Sequence, residues 1–142
     1  MIVIQCVDNR NGTLFNGRRQ SQDRLLRARV LAACAGRRLW MNAYSLRQFQ
    51  GDLPPEQPLT VAEDFLSRAG SGEVCFVEGL PLRPWLDRIE QVVLLRWNRD
   101  YPADTHLDLD VGDPPWTLTA REDFAGSSHP TITEEVYRLC RD

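Results

Sequence analysis

The chain has 142 residues, 42% hydrophobic and 26% charged, which favours one domain built on one core. A net charge of −3 and an isoelectric point near 5.4 leave a weak electrostatic case for nucleic acid. No apolar run approaches the roughly 20 residues that span a bilayer. Residues 1–10 also lack the basic start and small-residue cleavage site of a signal peptide, so a cytoplasmic protein without a membrane partner is expected.

Residues 1–7, MIVIQCV, are apolar and rich in β-branched side chains, which predicts a buried strand. Asn11-Gly12 is a turn signal, and residues 13–17 are expected to continue as loop, anchored by Leu14 and Phe15. In residues 17–29 one carboxylate, Asp23, stands among Arg18, Arg19, Arg24, Arg27 and Arg29 at the start of a helix. Ser21 is the expected N-cap, with Asp23 in the first turn, where a negative charge contributes about 0.3–1 kcal/mol. Leu26, Val30, Ala33 and Cys34 recur at helical spacing, and Gly36 is the expected stop.

Residues 39–41, Leu-Trp-Met, predict a short buried strand, and residues 42–49 a turn into a short helix. Residues 50–58 carry Gly51 and three prolines and read as loop. Thr60-x-x-Glu63 is a capping box ahead of a helix with Phe65 and Leu66 on its apolar side. Residues 74–77 predict a buried strand, Glu78-Gly79 its exit, residues 82–86 a helical turn, and residues 91–97 the strongest strand of the chain. Residues 98–113 read as an ordered acidic loop. A half-exposed strand is predicted over residues 116–124 and a final strand of edge character over residues 132–139. Helices and strands alternate first and strands dominate later, which implies an α/β sheet with antiparallel strands added on the C-terminal side.

Cys6, Cys34 and Cys75 lie in apolar runs without paired spacing and read as reduced, buried thiols. His106 and His129 are the only imidazoles, and neither lies in H-x-H or H-E-x-x-H, so no metal is expected. Asp23 is either a ligand-binding carboxylate or a helix-terminus charge. Arg18, Arg19, Arg24 and Arg27 form either a site for a small anionic ligand or solvated charge. Arg27 is also spaced to pair with Asp23. Tyr44 and Ser45 open a helix where backbone amides meet a phosphate or are simply capped. Asp104, Asp108 and Asp110 lack the spacing of a calcium loop and read as solvated. No nucleophile–base pair stands out, which argues against a hydrolase.

Taken in order, several of these stretches resemble the dihydrofolate reductase fold. They are Val7-Asp8 followed by Gly12, Asp23 at the first helix, and residues 39–41 followed by Ser45. Glu78-Gly79 after a buried strand, Asp104-Thr105-His106 after the long strand, Trp116, and Ser128-His129 complete the series. The resemblance implies a compact mixed sheet flanked by helices, with an antiparallel C-terminal hairpin, over residues 1–142. It implies an NADPH-dependent reductase in which Asp23 holds a pterin ring. Arg24, Arg27 and Ser45 are then candidates to bind substrate, and Tyr44, Ser45, Glu78 and Gly79 to bind cofactor.

The sequence also departs from that pattern. Asn42-Ala43 stands where the family has Gly-Arg, Glu78 replaces a glycine near the pyrophosphate, and Arg27 replaces a stacking aromatic. The proline-rich residues 50–58 are expected to leave out a further strand on the adenosine side. Asn42-Ala43, Glu78 and the proline-rich loop make weak or absent NADPH binding the expectation, and Arg27 argues against an ordinary folate. Together these changes raise the alternative of a non-catalytic ligand-binding or regulatory module that kept the cleft. If Asp23 holds a ligand, Asp23→Asn is expected to spare the fold and weaken binding.

Overall fold

In the computed structural model, which describes residues 1–140, the core is a seven-stranded sheet with helices on both faces. Its strands are β1 (Ile2–Val7), β4 (Leu39–Met41), β5 (Leu59–Val61), β6 (Val74–Phe76), β7 (Gln91–Arg96), β9 (Trp116–Phe124) and β10 (Ile132–Leu139). A three-stranded sheet of β2 (Gly12–Phe15), β3 (Arg18–Arg19) and β8 (Thr105–His106) lies beside it. The large sheet runs β5-β4-β6-β1-β7-β10-β9. Its first five strands are parallel, and β10 is antiparallel to both neighbours.

Parallel strands covered on both faces need apolar side chains on both sides, which is why β4 and β6 read as unbroken apolar runs and β1 as one interrupted only by Gln5. Ile4, Leu39, Met41, Val74, Phe76 and Leu95 pack against helix α1 (Arg24–Ala33) and helix α2 (Ala43–Phe49). Val3, Val7, Cys75, Val92 and Leu94 pack on the opposite face, where α3 (Phe65–Arg68) supplies Phe65 and Leu66. A 3₁₀ turn over Arg83–Arg88 leads into β7.

Several expectations change. Residues 12–19 form a hairpin, not a loop: Asn16 and Gly17 have φ of 51° and 70°, the left-handed pair that a tight hairpin turn needs. Residues 59–61 do form a strand, β5, parallel to β4. Thr60 therefore opens no helix, and Glu63 accepts from the Ala43 amide at 3.0 Å. The N-cap of α1 is Asp23, not Ser21. Asp23 is extended (φ −155°, ψ 128°) and accepts from the Leu25 and Leu26 amides, so the helix starts at Arg24, two residues later than a Ser21 cap implies. β10 is an interior strand, and β9 is the edge.

Candidate functional site

The connections after β1 and β6 fix the site. The chain leaves β1 through α1 on one face and leaves β6 through the 3₁₀ turn on the other. In an open parallel sheet, such a reversal leaves a crevice outside the carboxyl ends of the two strands. Those ends here are Val7-Asp8 and Val77-Glu78-Gly79.

Glu78 dominates that crevice. Arg19, from β3, grips it with Nε 2.8 Å from Oε2 and Nη2 3.0 Å from Oε1, a two-point fork that a planar guanidinium makes best. Ser45 Oγ donates to the same Oε1 at 2.8 Å. The Arg19 guanidinium lies 4.3 Å from the centre of the Tyr44 ring, and Nη2 also donates to the Tyr44 carbonyl at 3.2 Å. The Arg19 amide donates to the Tyr44 hydroxyl at 2.9 Å. The Glu78 and Arg19 side chains are 9% and 21% exposed, so the pair is nearly out of solvent but not sealed.

The β2–β3 hairpin closes the crevice further. Gly79 has φ of 76°, and a Cβ there would collide with the Leu14 side chain packed on it. Cys6 lies behind the Arg19–Glu78 pair, where burial first and the Glu78 charge second push its thiol far up.

Asp23 is held differently. Its Oδ1 accepts from Leu25 at 2.9 Å, Leu26 at 3.1 Å and Ser127 at 2.9 Å, all backbone amides. Its Oδ2 accepts from the Ser128 amide at 2.9 Å, from Ser128 Oγ at 3.2 Å and from His129 Nδ1 at 2.9 Å. The side chain is 0% exposed. Burial alone would raise its pKa, but the Ser127 and Ser128 amides, the His129 ring and the Leu26 amide hold it far below the usual carboxylate range. A Cβ at Gly126 would strike Oδ2, so the loop must carry glycine there.

With Nδ1 donating to Asp23, His129 Nε2 receives Ser21 Oγ at 3.0 Å and the Tyr101 hydroxyl at 3.2 Å, while Trp97 packs on the ring. Hydroxyl, imidazole and carboxylate thus stand in the order of a nucleophilic triad. The recess that Ser21 lines holds about 10 Å³, room for one water at most, so no acyl group fits beside Oγ. The array fastens the 126–129 loop to the start of α1.

Of the residues picked from sequence, Tyr44, Ser45 and Glu78 come together, and Gly79 lies under Leu14. Arg27 does not join them. Its Nε pairs with Asp52 at 2.6 Å, not with Asp23. Arg24 is exposed, and its amide donates to Ser127 Oγ at 3.0 Å. Asp108 accepts from the Leu82 and Arg83 amides, and Asp104 from the Asn16 amide. Among the described residues no group of three or more His, Cys, Asp or Glu could hold a metal. In the sequence Arg19 is only one arginine of a cluster, and Gln20 carries no signal of its own. The one sign available was an acid, Glu78, at a strand exit with no local cation.

The fold defined by this topology is dihydrofolate-reductase-like. Dihydrofolate reductase from Enterococcus faecalis, in a complex with NADP(H) and RAB-propyl, matches over 99% of this chain and 96% of its own, with a TM-score of 0.66 at 12% identity. No family model and no curated protein matches the sequence. No helix of the described residues is long and apolar enough to cross a membrane.

Proposed function

We propose that this chain is a ligand-binding module on a dihydrofolate-reductase-like fold. It takes a small molecule at the Glu78 end of the crevice and does not reduce a dihydropterin with NADPH. The observation that carries this reading is the exchange of carboxylates. Asp23, the acid the resemblance assigns to the pterin, has both oxygens committed to a helix cap and a loop. Glu78 is the acid that faces the crevice.

NADPH does not fit the residues present. Where the resemblance brings the pyrophosphate, the Glu78 side chain and its Arg19 partner fill the position, and Leu14 covers the glycine beside it. At the start of α2 the Ala43 amide is taken by Glu63, and the Ser45 amide by Asn42 Oδ1 at 3.0 Å. Those amides are then not free for a phosphate. Residue 43, arginine in the family pattern, is alanine here.

Dihydrofolate-dependent oxidation of NADPH, followed by the loss of its near-ultraviolet absorbance, tests the reading. The expected result is no turnover above the protein-free rate. Turnover above that rate would overturn it, and its loss in a folded Asp23→Asn variant would assign it to Asp23.

A further inference from the structure

We infer that the Glu78 site recognises a small molecule bearing a terminal guanidinium or amidinium group, and that Arg19 is the internal stand-in for that ligand. The inference rests on the binding-module reading and names the ligand class of the same site.

Three observations converge. First, the carboxylate of Glu78 is presented edge-on to a planar fork: both its oxygens take N–H groups of one guanidinium, at 2.8 and 3.0 Å. A tetrahedral ammonium has no such pair of parallel donors. Second, the Tyr44 ring forms a floor for the planar cation, 4.3 Å from its carbon, and the Tyr44 carbonyl takes a further N–H. Carboxylate, aromatic face and carbonyl together match a flat cation with donors along several edges.

Third, Gln20 supplies an acceptor with nothing to accept. Its amide nitrogen is fixed by donation to Asp8 Oδ2 at 2.8 Å, which sets the orientation of the amide. Its Oε1 is buried and, among the described residues, is the buried side-chain polar atom without a partner. Such an atom costs stability and is normally matched by a donor. Gln20 lines both the closed recess at Glu78 and an open cavity of about 540 Å³ beside it. Phe15, Arg18, Arg19 and Tyr101 line that cavity as well. It has room for the body of a ligand whose cationic end reaches Glu78. It also has room for the Arg19 side chain once displaced.

Arg19 therefore competes with the ligand, and its removal exposes the site. The experiment compares benzamidine with benzylammonium, of similar size and equal charge but with a tetrahedral head, at matched chloride. Thermal shift and calorimetry are read on wild type, Arg19→Ala, Arg19→Met and the Arg19→Ala/Glu78→Gln double variant. The expected result is weak saturable binding of benzamidine to wild type and at least tenfold tighter binding to the Arg19 variants. Loss of that binding with Glu78→Gln and a clear preference over benzylammonium complete the expectation.

The Met variant keeps the apolar stem of Arg19 if the alanine variant fails to fold. Equal response to the two cations, or benzamidine binding that survives Glu78→Gln, overturns the inference. That failure, with no NADPH turnover, leaves the binding-module reading standing. Turnover with dihydrofolate removes the reading itself.

Discussion

Asp23 and Glu78 are both nearly buried acids at the same end of the sheet, but they are held by different kinds of partner. Asp23 takes mostly backbone amides, from the first turn of α1 and from residues 127–128, which cannot leave without unwinding a helix or a loop. Glu78 is held by side chains, Arg19 and Ser45, and Arg19 sits on a two-residue strand at the tip of a hairpin. A side chain can rotate away and be replaced, whereas a cap amide cannot. The first acid is therefore fixed by the main chain, and the second is held by side chains alone, which is what the proposed exchange of Arg19 for a ligand requires.

The largest expected effect breaks the scaffold acid. Asp23→Asn places an amide NH₂ or an uncharged oxygen opposite donors that need a carboxylate, and hydrogen bonds to a charged group contribute about 1.5–3 kcal/mol each. Urea unfolding should show a loss of about 3 kcal/mol or more, roughly 10 °C in melting temperature for a chain of this size. This replaces the expectation, drawn from sequence, that the variant keeps its stability. A change below about 1 kcal/mol would return Asp23 to the list of ligand acids.

Acid sharpens the same contrast. The Asp23 pKa is depressed in the folded state, against its burial, by the amides around it. Asp8 is shifted the same way, where burial is outweighed by the Gly12 and Arg10 amides and Gln20. A carboxylate with a depressed folded pKa adds stability that is complete above its unfolded value, about 3.9, and that is lost as pH falls towards the folded value. Unfolding free energy should be flat from pH 7 to about 5 and fall steadily below it. In Asp23→Asn the acid limb should be shallower. An equal slope in both proteins contradicts the assignment.

Gly79→Ala should cost less, about 1–2 kcal/mol, from the left-handed φ of 76° and the displaced Leu14. It should also speed amide hydrogen exchange in residues 12–19 without changing that of α1. Equal acceleration in both would mean that the hairpin and the scaffold open together.

The smallest effect is chemical. Cys140 is exposed, while Cys34 and Cys75 are buried with thiols pushed up by burial to about 11 and about 12. Cys6 is partly buried behind the Arg19–Glu78 pair. Mass spectrometry after brief alkylation should find one modified cysteine per chain, Cys140.

How much of this was legible in sequence follows the range of each signal. β1, β6 and β7 announce themselves by local apolar runs and stand within a residue of their expected bounds, while α2 ends at Phe49 as expected but starts at Ala43, inside the expected turn, because Asn42 caps it. β3, β5 and β8 have two or three residues each, too few for an alternation to be seen. Asp23 was visible as a helix-start acid, but what occupies it comes from Ser127 and Ser128, over a hundred residues on. The Arg19–Glu78 fork joins residues 59 apart, and no spacing rule links a hairpin arginine to a strand exit. Ser21 failed as the cap because its hydroxyl is drawn to His129.

The most direct measurement is a double-mutant cycle on Arg19 and Glu78, using urea unfolding of wild type, Arg19→Ala, Glu78→Gln and the double variant. If the crevice is closed by this pair, each single change costs more than the second change made in its presence. The predicted coupling is about 1–3 kcal/mol, within the range seen for residues in direct contact. Additivity to within about 0.5 kcal/mol would contradict the account, because Arg19 would then not be holding the acid at which the ligand is placed.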